Sequence, residues 1–150
     1  RRRFGMPRIE ASTTVKRPVS EVFAVLSDPS NTPKWSSGMQ TITKTSDGPI
    51  GVGSTYHSTA KLLGRRVEGD SKVLEFEADR RIAVAGTSPF PVTITYAVTS
   101  ADGGTRVEQT VDAEPAGFFK LAQPLLATMM KRQVQGDLDT FRDLMEANAL

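Results

Sequence analysis

Residues 117–146 read GFFKLAQPLLATMMKRQVQGDLDTFRDLME, the longest periodic segment of the chain. Phe119, Ala122, Leu126, Met129, Met130, Val134, Leu138, Phe141 and Met145 recur at steps of three and four. That spacing places them on one face of a helix. Lys120, Lys131, Arg132, Gln135, Asp139 and Asp143 lie mostly between them. The pattern predicts a C-terminal helix of about 30 residues, roughly 45 Å long, with its apolar face in the core. Pro124 interrupts it about two turns in. Proline lacks the helical donor and collides with the preceding turn, so it either kinks this helix or marks its true start.

Upstream, the period changes from helical to two. Tyr56, Ser58, Ala60 and Leu62 alternate with His57, Thr59 and Lys61. Val67, Gly69, Ser71 and Val73 alternate with Arg66, Glu68, Asp70 and Lys72, and Val92, Ile94, Tyr96 and Val98 with Thr93, Thr95 and Ala97. Such alternation is the mark of strands with one face buried. The predicted strands cover 9–15, 39–45, 54–63, 66–76, 82–86, 92–98 and 105–113. Gly64-Arg65 and Asp102-Gly103-Gly104 are read as hairpins. Between the first two strands, Ser20 is placed as the N-cap of a short helix carrying Val22, Phe23, Val25 and Leu26. Asp28-Pro29 ends that helix, and residues 30–35 fit a second short helix or a turn. The order is strand, two short helices, six strands, one long helix. Short links between consecutive strands require a bent antiparallel sheet. The fold class is α+β, a seven-stranded curved sheet wrapped around a long C-terminal helix.

Composition removes several function classes. The chain has 150 residues, no cysteine and one histidine, His57. Disulfides and thiolate chemistry are excluded, and a zinc site lacks its ligand cluster. No metal and no cofactor is expected. No apolar run approaches the ~20 residues of a membrane span. Arg1, Arg2 and Arg3 dominate the net charge of +2, and residues 1–5 read as a vector-derived tail ahead of Met6. Without those three arginines the 19 basic residues fall to 16 against 17 acidic, so no basic stripe for nucleic acid remains. Residues 6–150 are expected to form one domain, in a reducing, cytoplasmic setting.

Several motifs carry a family resemblance. They are Pro18-Val19-Ser20-Glu21-Val22-Phe23, Asp28-Pro29-Ser30-Asn31-Thr32-Pro33-Lys34-Trp35, Gly51-Val52-Gly53-Ser54-Thr55-Tyr56 and Gly103-Gly104-Thr105-Arg106-Val107, followed by the amphipathic helix. Together they resemble the Bet v 1-like helix-grip superfamily, also called START-like or SRPBCC, and within it the bacterial polyketide cyclase/dehydrase branch. The resemblance covers about residues 8–147. It implies a cavity between sheet and helix that takes a lipid-like, polyketide-like or other apolar molecule.

The residues themselves point the same way. Ser58, Ala60, Gly69 and Ser71 are small, and share the inner face with Tyr56 and Tyr96. Small side chains on a concave sheet leave volume that one helix cannot fill. The candidate ligand-binding residues are therefore Trp35, Tyr56, Ser58, Ala60, Ser71, Phe90, Tyr96, Phe119, Met129 and Met130. Trp35 serves either as a pocket wall or as a core plug. Tyr56 either orients a ligand or sits in the core with its hydroxyl bonded to backbone. The aromatic and methionine stripe of the helix is either plastic pocket lining or ordinary core. His57 alternates to the outer face and is not read as a base; no catalytic residue is assigned. Arg65, Arg66, Arg80 and Arg81 are read as solvated strand ends. The first functional reading is sequestration of a hydrophobic small molecule. The alternative is an enzyme that folds a poly-β-ketone for cyclisation or dehydration. A third reading is a scaffold or homodimer module with a filled core.

Overall fold

The computed structural model describes residues 6–150. The reading of residues 1–5 falls outside it. Seven strands form one antiparallel sheet: β1 Ile9–Val15, β2 Met39–Lys44, β3 Thr55–Leu62, β4 Arg65–Glu77, β5 Arg81–Gly86, β6 Val92–Ala101 and β7 Gly104–Ala113. Their spatial order is β1-β7-β6-β5-β4-β3-β2. Every link from β2 to β7 joins sheet neighbours, whereas β1 and β2 lie at opposite edges. Helix α1, Val19–Leu26, and a 3-10 helix, Pro29–Lys34, carry the chain from one edge to the other. Register shifts between Met39 and Thr41 and between Val73 and Glu75 mark bulges, which bend a sheet locally.

Three local expectations are corrected. Helix α1 starts at Val19, with Pro18 rather than Ser20 at the N-cap and no side-chain cap bond. Pro18 is extended at φ −62° and ψ 151°, and its carbonyl accepts from Val22 N–H. The chain thus enters the helix on a residue with a preset φ. The β3–β4 turn is centred on Leu63 and Gly64, with φ of 52° and 77°, one residue earlier than expected. Two left-handed central residues match the twist of a two-residue hairpin. The C-terminal segment is a short helix α2, Phe118–Leu121, followed by α3, Gln123–Glu146. Pro124 stands in the first turn of α3, where its missing N–H would have had no helical partner. It marks the true start of the helix.

The placement of α3 decides where space is left. It lies along β1, at one edge of the sheet. Gln135 donates to the Ser12 carbonyl at 3.1 Å, Glu146 accepts from Lys16 N–H at 2.9 Å, and Arg17 donates to the Met145 carbonyl at 3.0 Å. Leu138, Phe141 and Met145 pack with Val15, Val107, Phe23 and Trp35 in the main core. Leu126 joins Met6, Ile9, Phe90, Val111 and Phe119 in a second cluster. The main cluster reaches across the sheet to Tyr56 of β3, Val73 of β4 and Ile82 of β5. Elsewhere on the concave face of β3 and β4, Ser58, Ala60, Gly69 and Ser71 belong to neither cluster.

Candidate functional site

Over that face lies a cavity of about 280 Å³, just below the usual range for ligand sites, roughly 300–1,000 Å³. Its floor is set by strand register. Ser58 pairs with Gly69 and Ala60 with Val67 across β3 and β4, while Ile82 pairs with Tyr96 and Val84 with Ile94 across β5 and β6. All of these residues line the cavity. Ser71, Gly86, Phe90 and Val92 extend the wall. Leu26, Pro29, Thr32 and Ser36 of the crossing segment and Met130 and Gln133 of α3 complete the lining.

Two glycines make room for this wall. A Cβ on Gly69 would lie 2.5 Å from Ser88 Cβ, so the bare backbone lets the β5–β6 loop fold against β4. A Cβ on Gly38 would lie 2.5 Å from Gln133 Nε2, so the Gln133 amide crosses the chain at the entrance to β2. Neither contact has a sequence signature, because each joins segments far apart in the chain.

Six of the ten candidate residues meet at the cavity: Ser58, Ala60, Ser71, Phe90, Tyr96 and Met130. The other four lie outside its lining. Trp35 is 4% exposed and packs edge-to-face on Phe141 at 5.2 Å and on Tyr96 at 6.0 Å. It is the core plug of the two alternatives. Phe119 stacks edge-to-face on Phe90 at 5.4 Å, behind the wall. Met129 packs on the same second cluster. Tyr56 shares the parity of Ser58 and Ala60, yet it is fully buried in the main core. Sequence reading missed Gly38, Met39, Ile42 and Gln133, which lie in segments whose distance from the pocket no period reveals.

The Tyr56 hydroxyl has no hydrogen-bond partner among the described residues, so it is not tied to backbone as one reading expected. Burial, helped by the nearby Asp28 charge, pushes its pKa up. A buried hydroxyl without a partner retains its desolvation cost. Tyr56→Phe is therefore expected to leave the melting temperature unchanged or raise it. A drop of more than about 1 kcal/mol in chemical unfolding would show that the hydroxyl has a partner.

Tyr96 differs. It lines the cavity, and burial first, then the Asp137 charge, pushes its hydroxyl far above the ordinary phenol range. It remains a neutral donor throughout the physiological range. Lys61, Glu68 and Asp70 also border the cavity, but the two carboxylates turn their oxygens to the convex side. There Asp70 meets His57 Nδ1 at 2.8 Å and Glu68 meets His57 Nε2 at 3.0 Å. Among the described residues, no group of three potential metal ligands forms a metal site.

His57 thus faces outward, as alternation requires. Its hydrogen bond to Asp70, then that to Glu68, raises its pKa above 6.5. The same contact with His57 lowers Glu68 below 4.5, with Arg66 adding to the effect. A raised histidine pKa stabilises the fold fully below its unfolded value and ceases to do so as pH rises through the folded one. A lowered carboxylate pKa acts in reverse. The cluster therefore supports the fold most between those two reference values. We expect His57→Gln to be less stable than wild type in that window and equal to it well above neutral pH. Equal losses at all pH values would exclude this linkage. Ligand binding should change by no more than about threefold, since the ring points away from the cavity.

Comparison with known proteins agrees with this architecture. The family described as polyketide cyclase / dehydrase and lipid transport matches residues 6–146. No curated protein matches the sequence. A protein of Thermus thermophilus, TTHA0849, superposes with a TM-score of 0.79 at 17% identity, over 96% of this chain and 100% of that one. Ara h 8.0201 gives 0.70 at 20% identity, over 95% and 99%. The di-domain ARO/CYC protein StfQ of the steffimycin biosynthetic pathway gives 0.70 at 14% identity, over 93% of this chain and 45% of that one. At such identities the likeness concerns the fold. The match over nearly the whole chain is what shows that it belongs to the polyketide cyclase / dehydrase and lipid transport family.

Proposed function

We propose that the chain binds a hydrophobic or amphipathic small molecule, lipid- or polyketide-like, in the cavity between sheet and C-terminal helix. The observation that carries this reading is the lining itself. Ile82, Val84, Val92, Ile94, Phe90 and Met130 supply apolar wall, and Ser58, Ser71 and Tyr96 are the lining residues with hydroxyl groups for a few polar contacts. Transfer of apolar area out of water drives entry, and one or two hydrogen bonds set orientation. Met130 adapts to ligand shape because its side chain is unbranched.

A thermal-shift screen of fatty acids, sterols, flavonoids and aromatic polyketides tests this. A ligand present at about 100 times its dissociation constant adds about 2.7 kcal/mol to native stability. For a chain of this size that raises the melting temperature by roughly 5–10 °C. Ala60→Trp fills the floor of the cavity and should abolish the shift while the protein still melts cooperatively. A wild type that no ligand shifts, or a filled variant that responds equally, would leave the scaffold reading.

The cyclase or dehydrase reading draws support from Tyr96. A tyrosine hydroxyl that stays neutral, on a residue lining the cavity, can donate a hydrogen bond to a ketone oxygen as negative charge develops there. If the protein turns over a poly-β-ketone, Tyr96→Phe should lower the rate constant more than it weakens binding. Equal effects on both would reduce Tyr96 to a binding contact.

A further inference from the structure

The cavity does not account for the exposed apolar residues at the start of the C-terminal segment. Leu121 is 88% exposed, Leu125 64% and Phe118 44%. Leu121 ends α2 and Leu125 stands in the first turn of α3, four positions on; leucines this exposed form a protruding apolar surface rather than a gap in the core. The ridge continues along α3 through Thr128 and Arg132, both exposed.

Charge around the ridge is one-sided. The Arg65 guanidinium lies 4.2 Å from the centre of the Phe118 ring, which brings the β3–β4 hairpin against α2. That hairpin reads KLLGRR over 61–66, and residues 115–136 contain Lys120, Lys131 and Arg132. Neither segment contains an acidic residue. Arg66 is paired with Glu68 at 3.1 Å. Among the described residues, Lys61, Arg65, Lys120, Lys131 and Arg132 form no ion pair. This contrasts with a chain whose charges nearly balance, 19 basic against 17 acidic.

The ridge is also connected to the ligand cavity. Phe118 stacks on Phe119 at 5.3 Å, Phe119 on Phe90 at 5.4 Å, and Phe90 lines the cavity. An aromatic path runs from the exposed tip to the pocket wall.

We infer that the tip formed by Phe118, Leu121 and Leu125, with Arg65 and Lys120 beside it, docks on an anionic lipid bilayer. Protruding leucines bury their area among acyl chains, while lysine and arginine stems reach the headgroups. Anionic headgroups complement the unpaired cations. A symmetric second copy would place the same cations against themselves. Docking adds a partner to the proposed binding function without depending on it, because the ridge lies outside the cavity lining.

The test is flotation with vesicles of phosphatidylcholine alone and with about 30% phosphatidylglycerol, at about 0.1 M salt. The wild type should float with the anionic vesicles and not with the neutral ones. Leu121→Ser combined with Leu125→Ser should weaken binding at least tenfold, with an unchanged melting temperature because both side chains are exposed. The chain has no cysteine, so Leu121→Cys accepts a single environment-sensitive fluorophore, which should brighten and shift to the blue on the same vesicles. Failure to bind anionic vesicles overturns the inference. So does binding that survives loss of both leucines, or a fluorophore that stays in water, since either makes the patch purely electrostatic. Soluble polyglutamate that competes with vesicles without needing the leucines would point to an acidic protein instead and equally overturn it.

Discussion

Phe141→Ala should lower the unfolding free energy by about 3–5 kcal/mol and the melting temperature by roughly 10 °C or more. Phe141 is fully buried and stacks edge-to-face on Trp35, which in turn stacks on Tyr96. It is the point where α3 meets both the crossing helices and the sheet. Truncation removes the burial of a whole ring and leaves a cavity that Leu138 and Met145 can only partly fill, as the packed helix holds them in place. Urea unfolding reads the change as a lower midpoint at an unchanged slope. The exposed Leu125 serves as the contrast, since Leu125→Ala should fall within about 0.5 kcal/mol of wild type. A loss of less than about 1 kcal/mol for Phe141→Ala would mean that the core around Trp35 is loosely packed.

Gly104→Ala should cost about 3 kcal/mol, near the top of the range for overpacking. The reason is space rather than backbone conformation. A Cβ at Gly104 would overlap the carbonyl oxygen of Val15 and lie 2.9 Å from Lys16 Cα. Both are backbone atoms at the end of β1, so no rotamer change relieves the clash. The strand end must move, and Thr105, whose hydroxyl donates to the Arg17 carbonyl at 2.7 Å, must move with it. The neighbouring Gly103 gives the opposite case. Its φ is 76° and nothing lies near its missing Cβ. Gly103→Ala therefore meets only the left-handed penalty, about 1–2 kcal/mol. Chemical unfolding of the two variants separates the causes. An equal or smaller loss at Gly104 would show that the end of β1 yields easily.

The Asp102-Gly103-Gly104 motif shows how far local reading extends. It announced a hairpin, and the hairpin is there, but it assigned both glycines to the turn. Gly103 is required by the turn. Gly104 is required by β1, a strand nearly ninety positions earlier in the chain.

The same division runs through the whole protein. Periods of two and of three to four depend on neighbours along the chain, so strands, long helix and inner-facing residues were legible in the sequence. So was the outward turn of His57. Pro124 left two outcomes open, because the position of a helix start depends on whether the preceding turn is held elsewhere. Parity alone could not tell Tyr56 in the core from Ser58 and Ala60 in the cavity wall, since all three share a face of β3. That distinction is made along β3 itself: Tyr56 shares its buried cluster with Val22, Phe23 and Leu26 of α1 and with Trp35, while Ser58 and Ala60 further along the strand line the cavity. The ring contacts of Trp35, the Gln133 amide over Gly38 and the Arg65 guanidinium on Phe118 join residues far apart in sequence. No local propensity encodes such pairs; they form because the folded chain brings distant surfaces into van der Waals contact, where shape and volume decide what fits.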